Sequence, residues 1–151
     1  MTNKESQTIE YKQTWRNDCL KAVSAFANSD GGVLIIGLDD RGIPTGLKNV
    51  KRLLEDIPNT IRNKLGIIPS VKLDKKDIIK VTVTPCSVPI SFNGKYYIRS
   101  GSTVQELQGK ELADFLFRKT GSTWDDVLEE RAGFEEIDDD AIEKFKKYSV
   151  D

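Results

Sequence analysis

The chain has 151 residues, 38% apolar and 31% charged, which suits one domain with a modest core inside a very polar surface. It contains no histidine, which excludes imidazole general bases, serine-type triads and His-ligated zinc. Its two cysteines, Cys19 and Cys86, lie far apart in sequence, which argues against a disulfide framework or a CxxC metal site and fits a reducing, cytoplasmic compartment. The first twelve residues lack the apolar stretch of a signal peptide, and no apolar run approaches the ~20 residues of a membrane span. The net charge of −1 argues against a nucleic-acid partner, yet it conceals a split. Residues 1–110 hold 17 basic and 11 acidic side chains, net +6, and residues 111–151 hold 6 and 13, net −7. Such asymmetry marks either a basic module beside an acidic tail or simply a solvated acidic end.

In chain order, Ile9 and Tyr11 alternate with Glu10 and Lys12, predicting a short half-buried strand within residues 7–12. Cys19, Leu20, Val23, Phe26 and Ala27 recur at helical spacing, with Asn17 or Asp18 as N-cap. Asn28-Ser29-Asp30-Gly31-Gly32 ends that helix. Val33 to Leu38 is a continuous apolar run, expected as a central strand covered on both faces. Asp39 to Gly42 reads as a turn, and Ile43 to Leu47 as the returning strand. Val50, Leu53, Leu54, Ile57, Ile61 and Leu65 form a second helical stripe, with a kink or break expected at Pro58. Val71–Leu73 and Ile78–Thr84 flank a polar turn containing Lys75 and Lys76. Asn93-Gly94 accepts the positive φ of a type I′ hairpin turn, Tyr96 to Arg99 is its second arm, and Leu112, Phe115 and Leu116 mark a closing helix. The order predicts an α+β fold, a mixed β-sheet with helices packed on it. The domain is expected over residues 1–118. Residues 119–151 read as an acidic linker and the start of a following region, with a short helix near Ile142 and Phe145.

Gly32-x4-Gly37 has the spacing of a phosphate loop, but Leu38-Asp39 stands where Lys-Ser/Thr is needed, so nucleotide binding there is rejected. Phosphate contact needs cations, and Lys12, Arg16, Lys21, Lys75, Lys76, Lys95 and Arg99 are the candidates. Tyr96 and Tyr97 are possible stacking partners, although one of two adjacent strand residues must face the core. Arg99 has an alternative role in a salt bridge to Glu10 or Asp40.

Four segments occur in order: Glu5…Glu10-Tyr11-Lys12, then AFANSDGG (25–32), then IIGLDD (35–40), then YYIRSGS (96–102). Together they resemble the Schlafen AlbA_2 domain family, also described as a DNA-binding or divergent AAA-4 domain, over residues 5–117. The resemblance implies an AlbA_2/Schlafen-core-like fold and a DNA- or nucleic-acid-binding domain at the N-terminus of a bacterial transcriptional regulator. It also implies an alternative, a divalent-metal-dependent ribonuclease of the Schlafen type. Its three carboxylates then fall on Glu5, Glu10 and Asp40, which would act as catalytic and metal-ligating residues for Mg²⁺ or Mn²⁺. Carboxylates are hard oxygen ligands for such ions, and a bound cation can polarise a phosphoryl oxygen and activate water. The bland roles are a frayed N-terminal Glu5, a Glu10 on the exposed side of a strand, and an Asp40 capping its own turn. The RNA-cutting relatives have two lobes and a Cys/His zinc site, whereas this chain has one lobe and no His, so a homodimer would have to supply the second. A third reading is a dimerisation or ligand-sensing module whose basic face is incidental.

Overall fold

A computed structural model of the chain describes residues 5–121. The elements run β1 (Ile9–Lys12), α1 (Asn17–Ala27), β2 (Gly32–Ile36), α2 (Val50–Leu65), β3 (Ser70–Lys75), β4 (Ile78–Val83), β5 (Ser91–Phe92), β6 (Lys95–Ser100) and β7 (Thr103–Glu106), then a helix, α3, over residues 109–121. One mixed sheet has the order β1-β2-β4-β3, with β1 parallel to β2 and the other pairs antiparallel. A smaller antiparallel sheet has the order β5-β6-β7. The fold is α+β, as expected. The acidic linker and the short helix expected beyond residue 121 lie outside the described residues.

Helix α1 explains the layering. Cys19, Leu20, Ala22, Val23, Ala25, Phe26 and Ala27 are all buried, so the helix has almost no polar face. A helix apolar all round must be covered all round, and α1 packs against β2 and β4 on one side and β5, β6 and β7 on the other. Its N-cap is Arg16, in extended backbone, one residue before the expected caps, and the Arg16 N–H donates to Cys19 Sγ at 3.4 Å.

The chain leaves α1 through Gly31, at φ +77, where a Cβ would sit 2.7 Å from the Val83 carbonyl oxygen and 2.8 Å from Pro85 Cδ. That crowding and the left-handed backbone together require glycine. The Asn93-Gly94 turn forms as expected, with φ of 53° and 76°.

Three expectations need correction. Strand β2 is central, but the helices cover one face and the other is only half-buried. Leu34 and Ile36 join Ile79, Val81 and Val83 in the core beneath the helices, whereas Val33 and Ile35 are half-buried outside that cluster. An unbroken apolar run therefore did not signal two buried faces here. Ile43 to Leu47 forms no strand, only an isolated bridge between Leu38 and Pro44, because Asp39 Oδ1 takes the Arg41 and Ile43 N–H groups at 2.8 and 2.9 Å and curls the segment into a turn. Finally, Pro58 does not break α2, which runs continuously from Val50 to Leu65. Its apolar stripe, buried at Ile57, Ile61 and Leu65, holds the helix against β3 and β4 despite the missing N–H.

Candidate functional site

The motif residues meet at the β1 edge of the larger sheet. Glu10 and Lys12 are partnered with Leu34 and Ile36, so they share the helix-covered face, while Ile9 and Tyr11 turn to the other face. Strand β6 crosses α1 and brings Arg99 to the same edge. The Arg99 side chain is 0% exposed. Its Nη1 donates to Glu10 Oε1. Its Nε and Nη2 donate to the Ser6 carbonyl at 3.2 and 2.7 Å, and Nη2 also donates to the Ile9 carbonyl at 2.9 Å. The guanidinium lies 5.0 Å from the centroid of the Phe26 ring. Arg99 is thus the internal ion pair of its alternative reading, joined to Glu10 rather than Asp40, and it has no surface to offer a phosphate.

Gln7 strengthens the same junction. Its Nε2 donates to the Arg99 carbonyl at 3.1 Å, and its Oε1 accepts the Gly101 N–H at 2.8 Å. Asn28, the polar residue inside AFANSDGG, is buried. Its Nδ2 donates to the Ile90 and Tyr97 carbonyls and its Oδ1 accepts the Ile90 N–H, all at 2.8 Å. Sequence reasoning missed both residues. An amide at the end of an otherwise apolar helix was the available signal for Asn28, since a buried polar group must find partners.

Above this junction lie two adjoining open clefts of about 390 and 440 Å³, which share Glu10, Lys12, Asp18 and Ser102 and so form one groove. The first is also lined by Glu5, Arg16 and Asp40, the second by Lys21, Tyr97 and Glu106. Lys12 Nζ lies 3.0 Å from Asp18 Oδ2 and 3.4 Å from Glu10 Oε2. Burial works against the charge on Lys12, but the Asp18 hydrogen bond and the two nearby carboxylates prevail and raise its pKa. Partial burial likewise opposes ionisation of Asp18, but Lys12 holds its pKa below the ordinary value. Glu5 Oε2 accepts the Tyr11 N–H at 3.0 Å.

Glu5, Glu10 and Asp40 do line one cleft, but among the described residues no three His, Cys, Asp or Glu side chains are placed to hold a metal ion. Glu10 already has Arg99 on one oxygen and Lys12 near the other, so its charge is met from within the chain. This arrangement does not fit a resident Mg²⁺ or Mn²⁺. Asp39, not Asp40, is the turn-capping residue, and the Ile43 and Arg41 N–H groups lower its pKa.

The remaining predicted residues scatter. Arg16 and Lys21 are exposed on the α1 rim of the groove, and neither forms an ion pair among the described residues. Tyr97 is buried, with Lys21 Nζ 5.5 Å from its ring centroid, so it is the member of the tyrosine pair that faces inward. Tyr96 packs against Phe115. Lys95 lies 3.9 Å from Glu106. Lys75 and Lys76 are at the far side of the larger sheet, three strand spacings or ~14 Å from β1.

The family model for Schlafen, AlbA_2 matches residues 5–108, which takes in the groove and every one of its braces. The chain belongs to the Schlafen AlbA_2 family. Among solved structures, this AlbA_2 domain is similar in fold to the DIP2311 protein from Corynebacterium diphtheriae, with a TM-score of 0.59 and 18% identity. That match covers 71% of this chain and 26% of the other, so the chain spans about a quarter of that protein's length. No curated protein matches it. No helix among the described residues is long and apolar enough to cross a membrane.

Proposed function

We propose that this AlbA_2 domain binds nucleic acid, with the backbone of the bound strand following the groove between β1, α1 and the β6–β7 turn. The supporting observation is the combination of an open polar groove with two exposed cations on its α1 rim, Arg16 and Lys21, that form no ion pair among the described residues. Neutralisation of Glu10 by Arg99 and Lys12 lowers the repulsion a phosphate would otherwise meet. Ser102 and Thr103 add hydroxyls that can donate to phosphate oxygens. In the finer form of this reading, the target is DNA and the domain is the N-terminal module of a longer regulatory protein, with residues 119–151 leading into the next region.

The test is fluorescence anisotropy with duplex DNA and with structured RNA across a salt series. Binding should weaken linearly in log–log form, and Arg16→Gln and Lys21→Gln should each reduce the slope by ~0.9. A flat slope, or no binding at low salt, overturns the proposal. The same incubations with Mn²⁺ and with chelator report on the ribonuclease alternative: metal-dependent cutting that Glu10→Gln abolishes would replace simple binding.

A further inference from the structure

The groove is lined by more carboxylates (Glu5, Glu10, Asp18, Asp40 and Glu106) than cations (Lys12, Arg16 and Lys21), so the attraction its cations exert on a polyanion is opposed by a net negative lining. A second set of exposed cations lies away from the groove. In β3 and β4, Lys72 is directly opposite Lys80, and Ser70 is opposite Thr82. By the alternation of strand side chains, these four residues share the face bearing Ile9, Tyr11, Val33 and Ile35, the face that the helices leave open. Lys75 and Lys76 extend the row into the hairpin turn, ~10 Å along the strand from Lys72. All four lysines are exposed, and none forms an ion pair among the described residues. Asp74 and Asp77 are the only acids between Ser70 and Val83, which leaves the ribbon net positive.

Like charges directly opposite each other across two strands destabilise a sheet. A single lysine is enough to guard an edge strand against unwanted pairing, and it does not need a second lysine facing it from the interior strand. The arrangement makes sense if the cost is recovered when an anion bridges the pair. The apolar residues on this face are buried or half-buried, and none is among the large apolar side chains that stand exposed on the domain. The face therefore offers a partner ammonium groups and hydroxyls rather than a greasy seat, which favours a phosphate backbone over an amphipathic protein segment.

We propose that the open face of the β3–β4 ribbon, centred on the Lys72–Lys80 pair, is a second phosphate-binding surface of this domain. It rests on the nucleic-acid reading above and assigns the main electrostatic contact to residues outside the groove. The experiment uses the full chain, a duplex DNA and a structured RNA, with anisotropy against salt. The Lys72→Gln/Lys80→Gln double variant should lower the log–log slope by about 2, the loss of two phosphate contacts. Lys64→Gln, an exposed lysine on α2, should leave it unchanged. In parallel, a ¹⁵N–¹H titration of the wild type should move the amides of residues 71–73 and 79–82. If the wild type does not bind, the nucleic-acid reading itself fails. If it binds but the double variant keeps its slope and the ribbon amides stay still, only the second surface is overturned. An equal loss in Lys64→Gln would reduce the effect to net charge and overturn it as well. Displacement of the nucleic acid by polyglutamate of matched charge, with the same ribbon amides moving, would assign the face to an acidic protein partner and overturn it too.

Discussion

The groove at the β1 edge and the ribbon at the β3 edge belong to one sheet but handle charge in opposite ways. In the groove, Glu10 meets Arg99 and Lys12, Asp18 meets Lys12, and Glu5 takes a backbone N–H, so the family motifs are largely consumed in holding the domain together. On the ribbon, Lys72 faces Lys80 with no counterion among the described residues. Charge that is satisfied within the chain is structural first. Charge left unsatisfied at a fixed register is available to a partner. The motifs that identify the family and the residues that supply its electrostatic attraction therefore need not coincide.

The largest expected effect breaks the groove side of this contrast. Arg99→Met removes a fully buried guanidinium, which leaves Glu10 with Lys12 alone and the Ser6 and Ile9 carbonyls with only the backbone N–H groups they exchange. Breaking a buried pair from one side costs about 3–5 kcal/mol, read as a lower midpoint in urea unfolding. Arg99→Lys should recover little, because one ammonium cannot replace the fork that serves three acceptors. A variant as stable as wild type would show that the brace is dispensable and would return Arg99 to the list of ligand contacts.

Asn28→Ala comes next. It strands the Ile90 N–H and the Ile90 and Tyr97 carbonyls in the interior, where unpaired backbone groups are costly. A loss of about 2–3 kcal/mol is expected by the same measurement. Nucleic-acid binding at temperatures where the variant is folded should be unchanged, because Asn28 is buried and touches neither surface.

Much of the fold was legible because it depends on local patterns. The alternation of Ile79, Val81 and Val83 with Lys80 and Thr82, the Asn93-Gly94 turn and the α2 stripe each encode their element within a dozen residues. The site was legible only in part. Glu5, Glu10, Lys12 and Asp40 do converge, but whether a carboxylate binds metal or a buried arginine depends on pairings across some 90 residues, such as Arg99 with Glu10. The same holds for the ribbon. Lys72 and Lys80 look like ordinary solvated lysines until the register places them face to face. The open face of β2 was hidden for a related reason, since Val33 and Ile35 are as apolar as Leu34 and Ile36 but lie on the side without a helix.

The ribbon makes a prediction of opposite sign. Lys72→Thr removes the like-charge opposition and puts a β-branched residue in an exposed strand position, so stability should rise by about 0.2–1 kcal/mol. Salt should shrink the gain, because added ions screen the wild-type repulsion. A stability gain accompanied by weaker nucleic-acid binding would be the signature of a residue kept for a partner at the expense of the fold.

The smallest effect concerns the half-exposed Lys12–Asp18 pair, and its pH dependence tells it apart from the ribbon. Asp18 has its folded pKa held below the ordinary 3.8, so its contribution is present above that value and is lost as the pH falls through the lower folded one. Lys12 has its folded pKa raised above 10.5, so its contribution is present below that value and is lost as the pH rises through the higher folded one. Between these limits the pair contributes a constant, salt-sensitive increment. Asp18→Asn should therefore lower the thermal midpoint slightly and evenly across neutral pH, and the gap to wild type should close in acid as Asp18 takes up its proton. A gap that persists unchanged well below the pKa of Asp18 would mean that the residue acts through the first turn of α1 rather than through its charge. In that case Glu10, 3.4 Å from the Lys12 ammonium, would be the carboxylate that holds Lys12 at the groove.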